Sequence, residues 1–149
     1  MLKFKSLFAL AGIILLSSAC AGKINPYASV ITVGKKTVYV QIVTAPAEMS
    51  QGLSGRQALN PDQGMLFDFK SSQRPGFWMK EMNFDLDFIW ISQNKIIGIT
   101  QNVPRPAAAD SNLPVYYPPG NVDMVLEVNS GWAEKNGVKV GDFVALKNK

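Results

Sequence analysis

The stretch that decides the fold is LDFIWIS, residues 86–92. After Asp87 its side chains are apolar on both faces, which is typical of a central strand covered on two sides. Other segments alternate apolar and polar side chains with a period of two, the pattern of half-buried strands. Together these segments predict strands at 29–33, 37–44, 64–69, 76–80, 86–92, 96–103, 122–128 and 142–147. The predicted fold class is mainly β, a single compact β-sandwich or partly open barrel of about eight strands with two short helices.

Two short helices interrupt the strand pattern. The first is predicted to start within 44–48, with Thr44 as a possible N-cap and Pro46 in the first turn, and to be broken by Gly52 and Gly55. The second is predicted at 130–136, before Gly137. The longest irregular stretch is 104–120, which carries five prolines. Recognition residues often lie on such loops when a rigid scaffold positions them.

The amino terminus has the layout of an export signal. Two lysines, Lys3 and Lys5, precede an apolar run at 7–16. About ten apolar residues are too few to span a bilayer, which needs about 20, but they suit the core of a signal peptide. The small residues 17–19 then precede Cys20. This pattern resembles the lipobox of bacterial lipoproteins, in which the cysteine becomes the lipidated first residue.

Processing around Cys20 has two candidate outcomes. The neighbouring residues also fit the small-x-small pattern of ordinary signal cleavage, after which the domain would be secreted in soluble form. A free thiol is a liability in an oxidising compartment, so lipid attachment to this sole cysteine is favoured. Two or more acyl chains would anchor the protein stably in a membrane. We therefore expect a signal peptide at 1–19, a lipidated tether at 20–28 and a single β-rich domain at 29–149, held on the extracytoplasmic face of a membrane.

Two absences restrict the chemistry of the mature chain. The sequence has no histidine, and its only cysteine is the expected lipid site. Nucleophile systems of the Ser-His-Asp and Cys-His type are therefore excluded, as are zinc sites built on His or Cys. Loss of Lys3 and Lys5 from the 15 basic side chains would leave 13 against 11 acidic ones. With no basic cluster longer than Lys35-Lys36, nucleic-acid binding is not expected.

Several short motifs occur in order along the chain. They are Gly52-Leu53-x-x-Arg56, Gly64-Met65-Leu66-Phe67, Phe77-Trp78-Met79-Lys80, Leu86-Asp87-Phe88-Ile89-Trp90, and Val125-Leu126-Glu127-Val128 followed by Gly131 and Gly137-Val138-x-x-Gly141-Asp142. From residue 31 to residue 146 the chain resembles the bacterial and archaeal family catalogued as domain of unknown function number 192. The resemblance implies a compact β-rich domain, often exported or lipid-anchored, with no established activity and so no catalytic residues to carry over. One departure is Asp85, which stands where the family often has proline.

Asp85 and Asp87 form the first candidate constellation. Two residues apart on a strand, they would point the same way with Cα atoms about 6–7 Å apart. That spacing could bind Ca²⁺ or suit the carboxylate pair of a glycosidase. In the structural alternative, Asp85 ends a loop while Asp87 pairs with Lys80 or Arg56 at the margin of the sheet.

Arg56 follows a glycine-rich turn. Its planar guanidinium could receive an anionic ligand, since it matches carboxylate or phosphate. The alternative is a structural salt bridge to Asp87 or Glu127 that ties the loop to the sheet.

The methionines allow a copper interpretation, because thioethers favour Cu(I). The five of the mature chain are Met49, Met65, Met79, Met82 and Met124. Strand alternation assigns Met65, Met79 and Met124 to one face, where core packing is the ordinary role of methionine. No metal or other cofactor is expected.

Four aromatic residues could form a stacking platform for a ligand. Trp90 is expected in the core because isoleucines flank it, whereas Trp78, on the face opposite Met79, is a surface candidate. Tyr116 and Tyr117 lie inside the proline-rich loop, and they would line a pocket if that loop covers one. Packing of the loop onto the sheet is the other interpretation of this pair.

The leading hypothesis is a non-catalytic, membrane-tethered binding domain. Its recognition surface is predicted where the 104–120 loop, the Arg56 turn and the Trp78 edge meet. The ligand-binding candidates are Arg56, Trp78, Lys80, Asp87, Tyr116, Tyr117 and Glu127. The expected partner is an unknown small molecule or envelope component, in addition to the membrane. The alternatives are a hydrolase or transferase using Asp85, Asp87 or Glu127, and a purely structural envelope lipoprotein.

Overall fold

A computed structural model of the chain describes residues 25–107 and 112–147. The elements in chain order are β1 (Ser29–Val33), β2 (Lys36–Val43), α1 (Pro46–Gln51), β3 (Gln63–Gln73), β4 (Leu86–Ser92), β5 (Lys95–Val103), β6 (Val122–Asn129), α2 (Trp132–Lys135) and β7 (Val144–Leu146). The predicted signal peptide and Cys20 lie outside the described residues, as does the first part of the tether. No helix in the described ranges has the length and apolar character needed to cross a membrane.

All seven strands belong to one curled sheet with the order β5-β4-β6-β3-β2-β1-β7. Neighbouring strands are antiparallel except β2 and β3, which are parallel. After β2, α1 and the following loop return the chain alongside Tyr39, so that β3 runs in the same direction as β2. The sheet curls until its two edges meet at an isolated bridge between Lys95 and Phe143. A mainly β domain in the form of a partly open barrel, with two short helices, is thus confirmed.

The strand β4 lies inside the sheet and is covered on both faces, as its sequence predicts. Ile89 and Ile91 pack into one apolar cluster, which includes the side chains of β1 and β2 and is closed by α2. Phe88 and Trp90 point to the other face and pack into a second cluster, rich in aromatic residues and methionines. The core position predicted for Trp90 is confirmed, since it is almost fully buried.

The strand predicted at 76–80 is absent, and only Phe77 forms a bridge, with Tyr116. The partner segment carries Pro114, Pro118 and Pro119, and proline has no N–H to donate to a ladder. Burial nevertheless alternates along this segment, with Phe77 and Met79 buried and the residues after each of them exposed.

The prediction that Met124 shares a face with Met65 and Met79 is wrong. Met65 and Met79 pack in the aromatic cluster, whereas Met124 packs against the cluster on the opposite face. The reason is the regular register, since Met65 pairs with Glu127 and Met124 pairs with Asp68. Asp68 is three residues from Met65 along β3, so Met124 lies on the other face. Core packing remains the role of Met65 and Met79.

Candidate functional site

Asp87 is fully buried and is held by three backbone N–H groups. Its Oδ1 accepts hydrogen bonds from the N–H of Asn102 at 2.9 Å and of Gly131 at 3.0 Å, and its Oδ2 accepts one from the N–H of Ala133 at 3.0 Å. Gly131 is the N-cap of α2, and without a side chain it cannot accept hydrogen bonds from the first N–H groups of the helix. Asp87 of β4 accepts them instead and so caps α2. The expected pairing of Asp87 with Lys80 or Arg56 is wrong, because backbone donors occupy this carboxylate.

Asp85 serves a different segment from Asp87. Its Oδ1 accepts a hydrogen bond from the N–H of Arg105 at 2.9 Å, while the Arg105 guanidinium donates to the carbonyl oxygen of Asn83 at 3.0 Å. These contacts fix the beginning of the proline-rich loop. Within 25–107 and 112–147, no group of three His, Cys, Asp or Glu residues could hold a metal ion, so the two aspartates are not part of such a cluster.

The three segments predicted to form the recognition surface meet in one depression, which we call the outer groove. It has a volume of about 1120 Å³ and is lined by the turn around Gly55 and Gln57, the 78–83 segment and residues of the proline-rich loop. Trp78 is 55% exposed here, and the ammonium of Lys80 lies 5.7 Å from the centre of its ring. The outer groove is therefore an amphipathic surface with an accessible indole.

Tyr116 and Tyr117, the other aromatic candidates, lie outside the lining of the outer groove. Tyr116 packs onto the sheet, with its ring centre 5.8 Å from that of Phe88. Tyr117 is exposed, and its ring lies beside Gly76. The packing interpretation therefore describes Tyr116.

Arg56 is absent from the described lining of the outer groove and contacts Gln41 of β2 and Tyr27 instead. Its guanidinium donates to the side-chain oxygen of Gln41 at 2.6 Å and to the hydroxyl of Tyr27. The two ion pairs found in the described ranges do not include Arg56, so the expected salt bridge to Asp87 or Glu127 is not formed. Its charge still acts on Glu127, where it partly opposes the rise in pKa that burial causes.

Next to the outer groove lies a second cavity, the Glu127 pocket, with a volume of about 310 Å³. Its lining is mostly apolar and aromatic, and it includes Met49, Leu53, Phe67, Phe69, Phe77 and Trp78. Trp78 and Met82 line both cavities. The two cavities therefore adjoin at these side chains.

Glu127 is the only acidic residue among the described residues that line this pocket. It lies on β6 between Met65 of β3 and Phe88 of β4, and it is 5% exposed. Its Oε2 is buried and has no hydrogen-bond partner among the described residues. Burial raises the pKa of Glu127 to about 8, and the charge of Arg56 only partly opposes this rise.

The sequence names Glu127 as a candidate but does not reveal its surroundings. One signal was present, since Glu127 is a charged residue inside the otherwise apolar run Val125–Val128. The residues that form the pocket walls do not stand out in the sequence in this way. Phe67 and Phe77 have the pattern of ordinary core residues in the sequence, and they also pack as core in the structure.

The chain is a small β domain built on one curled sheet, with a cavity whose described lining is rich in aromatic residues and includes the buried Glu127. The chain belongs to the family of domain of unknown function 192, described as uncharacterized ACR, whose model matches residues 29–146. This confirms the family to which the sequence motifs point. Among curated proteins, none matches this chain.

Two crystal structures share the fold. One is a protein from Sinorhizobium meliloti 1021 described as "a putative transcription regulator", which is 30% identical with a TM-score of 0.68, over 79% of this chain and 90% of that chain. The other is a protein of unknown function from Novosphingobium aromaticivorans DSM 12444, which is 26% identical with a TM-score of 0.71, over 78% of this chain and 83% of that chain. Both are similar to this chain over nearly the whole described domain.

Proposed function

We propose that the protein is an extracytoplasmic, membrane-tethered binding domain that takes a small ligand in the Glu127 pocket. The observation that carries the proposal is the unpartnered Oε2 of Glu127 in an aromatic cavity. A buried polar atom without a partner costs about 1–3 kcal/mol. A ligand that supplies a hydrogen-bond donor would relieve this cost, and a pocket with a perturbed titratable group is the usual form of a binding site.

The outer groove provides the approach to this pocket. Trp78 is exposed and lines both cavities, so a ligand that enters the pocket contacts its ring. The charges on the groove wall are mixed, since Glu81 lines it beside Lys80 and Arg105, and the Glu81 carboxylate lies 3.9 Å from the Lys80 ammonium. Of the sequence candidates, Trp78 and Glu127 line the pocket and are assigned to binding. Lys80 lines only the outer groove, and Asp87 and Tyr116 support the scaffold.

The tether places this site close to a membrane. Lipid attached to Cys20 would hold the chain, and the eight residues 21–28 reach at most about 26–29 Å when fully extended. The ligand would therefore be collected near the bilayer surface.

The carboxylate-based hydrolase has less support. A glycosidase uses two carboxyl groups across the scissile bond. Asp85 and Asp87 are engaged by backbone N–H groups, and Glu127 has no second acid beside it in the described lining of the pocket.

Ligand binding is tested by a thermal-shift screen of the purified protein against amines, sugars, anionic metabolites and metal ions. A ligand that binds the folded state raises the unfolding midpoint, and we expect at least one class to do so. Ser50 is exposed and lines the Glu127 pocket, so Ser50→Trp should obstruct the pocket and remove the shift. A screen in which no class moves the midpoint, or in which Ser50→Trp responds like the wild type, contradicts binding in this pocket.

The anchor is tested separately. Cells grown with a labelled fatty acid should incorporate the label into the wild-type protein and not into Cys20→Ala. Equal incorporation into both proteins contradicts lipid attachment at Cys20, whatever the outcome of the binding screen.

A further inference from the structure

We infer that the ligand of the Glu127 pocket is a small organic amine, bound as an ammonium ion whose N–H donates to Glu127 Oε2 while its apolar body packs on the aromatic wall. This inference rests on the proposed function, because it names the class of ligand for the same pocket.

The acceptor for the ammonium group is already in place. Glu127 is 5% exposed, and within 25–107 and 112–147 no group forms a hydrogen bond with its Oε2. Its cross-strand neighbours on β3 and β4 are Met65 and Phe88, which cannot donate a strong hydrogen bond. Of the polar side chains in the described lining, Gln51 and Ser54 donate to backbone carbonyl oxygens, and Ser50 is exposed. A ligand in the cavity can therefore supply the donor for Oε2, and a charged donor forms a hydrogen bond roughly twice as strong as a neutral one.

The walls of the pocket suit a cation with an apolar body. Phe67 and Phe77 meet edge to face with their ring centres 5.0 Å apart, and Phe69 lies 6.5 Å from Phe77. Aromatic faces attract ammonium groups, and they do so more strongly where water is excluded. The volume of about 310 Å³ is at the lower end of the range for ligand pockets, which indicates a small molecule.

An anionic ligand does not fit this lining. At pH 8.5, above the raised pKa of about 8, most Glu127 carboxyl groups are ionised and would repel an anion. The described lining of the pocket contains no Arg or Lys to receive it. Arg56 is the charged group that acts on Glu127, but its guanidinium is held outside the lining by Gln41 and Tyr27. A neutral alcohol could donate one hydrogen bond to Oε2 without the charge assistance.

Protonation adds a distinctive feature to amine binding. The pKa of Glu127 is raised to about 8 by burial, whereas an alkyl ammonium, like that of lysine, has a pKa of about 10.4. At pH 7 the ammonium must therefore displace a proton from Glu127. Arg56, from the loop after α1, is the charged group that opposes this raised pKa, while β3 and β4 contribute the uncharged Met65 and Phe88.

The test compares three probes of similar shape by isothermal titration calorimetry: phenethylamine, 2-phenylethanol and phenylacetate. At pH 8.5 we expect phenethylamine to bind at least tenfold more tightly than the alcohol, and phenylacetate to give no binding. Glu127→Gln should remove the preference for the amine while keeping the weak binding of the alcohol. Glu134 is exposed on α2, which packs on the other face of the sheet. As a control, Glu134→Gln removes one acid away from the pocket and should leave the results for all three probes unchanged.

The pH dependence gives a second and independent measurement on the wild-type protein. Because one proton leaves Glu127 as the amine binds, the Kd for phenethylamine should fall about 50- to 100-fold between pH 6.0 and 8.5. Titrations in buffers of different ionisation enthalpy should show close to one proton released per amine at pH 6.0. The alcohol should show neither effect, and Ser50→Trp should bind neither probe.

The outcomes separate this inference from the proposed function. If the alcohol or phenylacetate binds as tightly as the amine, or if amine binding releases no proton, the amine assignment is overturned while the pocket remains a binding site. If none of the three probes binds, the amine assignment also fails, and the wider thermal-shift screen decides the proposed function. If Glu127→Gln does not fold, the wild-type proton release and Ser50→Trp still decide the question.

Discussion

Replacing Glu127 with glutamine should remove a pH dependence from the stability of the domain. Its pKa rises from the ordinary value of 4.5 to about 8 on folding, because burial disfavours the charged form. Between these two values the folded protein binds more protons than the unfolded chain. The contribution of Glu127 to stability is therefore fully present below pH 4.5 and is lost as the pH rises through 8.

The size of the effect follows from the same two pKa values. Each unit of pKa difference corresponds to about 1.4 kcal/mol. Linkage over the interval from pH 5.5 to 7.5 then predicts that Glu127 removes about 2–3 kcal/mol from the free energy of unfolding. The amide of the Glu127→Gln variant carries no charge, so that protein should show no such loss.

Urea unfolding of the wild type and Glu127→Gln, followed by tryptophan fluorescence at pH 5.5 and 7.5, measures the double difference. The chain has no histidine, so few other side chains titrate between these two values, and the comparison between proteins cancels those that do. Glu134→Gln, which removes an exposed acid, serves as the matched control and should follow the wild type.

A clear outcome would refute the reasoning. If the wild type and Glu127→Gln lose the same free energy of unfolding between pH 5.5 and 7.5, Glu127 is not a desolvated acid in the folded protein. The same result would remove the proton displacement on which the pH dependence of amine binding rests.

Three further substitutions test the scaffold around the site. Asp87→Asn turns an amide toward at least one of the three backbone donors and should lower the free energy of unfolding in urea by about 2–4 kcal/mol. The exposed Asp85→Asn keeps its Oδ1 and should lower it by less than about 1 kcal/mol. Equal losses contradict the capping role of Asp87. Gly64→Ala places a Cβ 2.8 Å from a backbone carbonyl oxygen of β6 and should lower the free energy of unfolding by about 1–3 kcal/mol. In Gly120→Ala the Cβ lies 3.8 Å from its nearest atom, so stability should change little. Unchanged stability of Gly64→Ala refutes the close approach of β3 and β6 at this glycine. Phe77→Ala removes the ring that contacts Phe67, Phe88 and Trp90 and should lower the free energy of unfolding by about 3–5 kcal/mol. The near-ultraviolet circular dichroism of the cluster should also decrease. An unchanged spectrum shows that the cluster does not depend on this ring.

Much of the fold could be predicted from local sequence pattern. Strand positions depend on side-chain alternation and on turn residues, which are visible in a few consecutive residues. The strand β4 is the best example, since its apolar residues on both faces indicated the two clusters that pack against it. The prediction failed at 76–80, where the alternation was correct but prolines in a distant segment left no ladder to join.

The partners of the charged residues could not be predicted in the same way. Asp87 was expected to meet a basic side chain, yet its donors are backbone N–H groups up to 46 residues away. Backbone groups carry no sequence signature, because every residue except proline has the same N–H. Arg56 likewise meets Gln41 and Tyr27, two neutral residues that charge matching does not identify.

By itself, the sequence determined the β-rich class, the position of most strands, the family and the lack of imidazole chemistry, because composition, ordered motifs and short-range periodicity carry these properties. Only the tertiary structure decided what surrounds Glu127. The order β4-β6-β3 places it between Phe88 and Met65, and loops from two other parts of the chain close an aromatic pocket over it. Burial, and with it the raised pKa of Glu127, depends on contacts between segments far apart in sequence, which no local pattern contains.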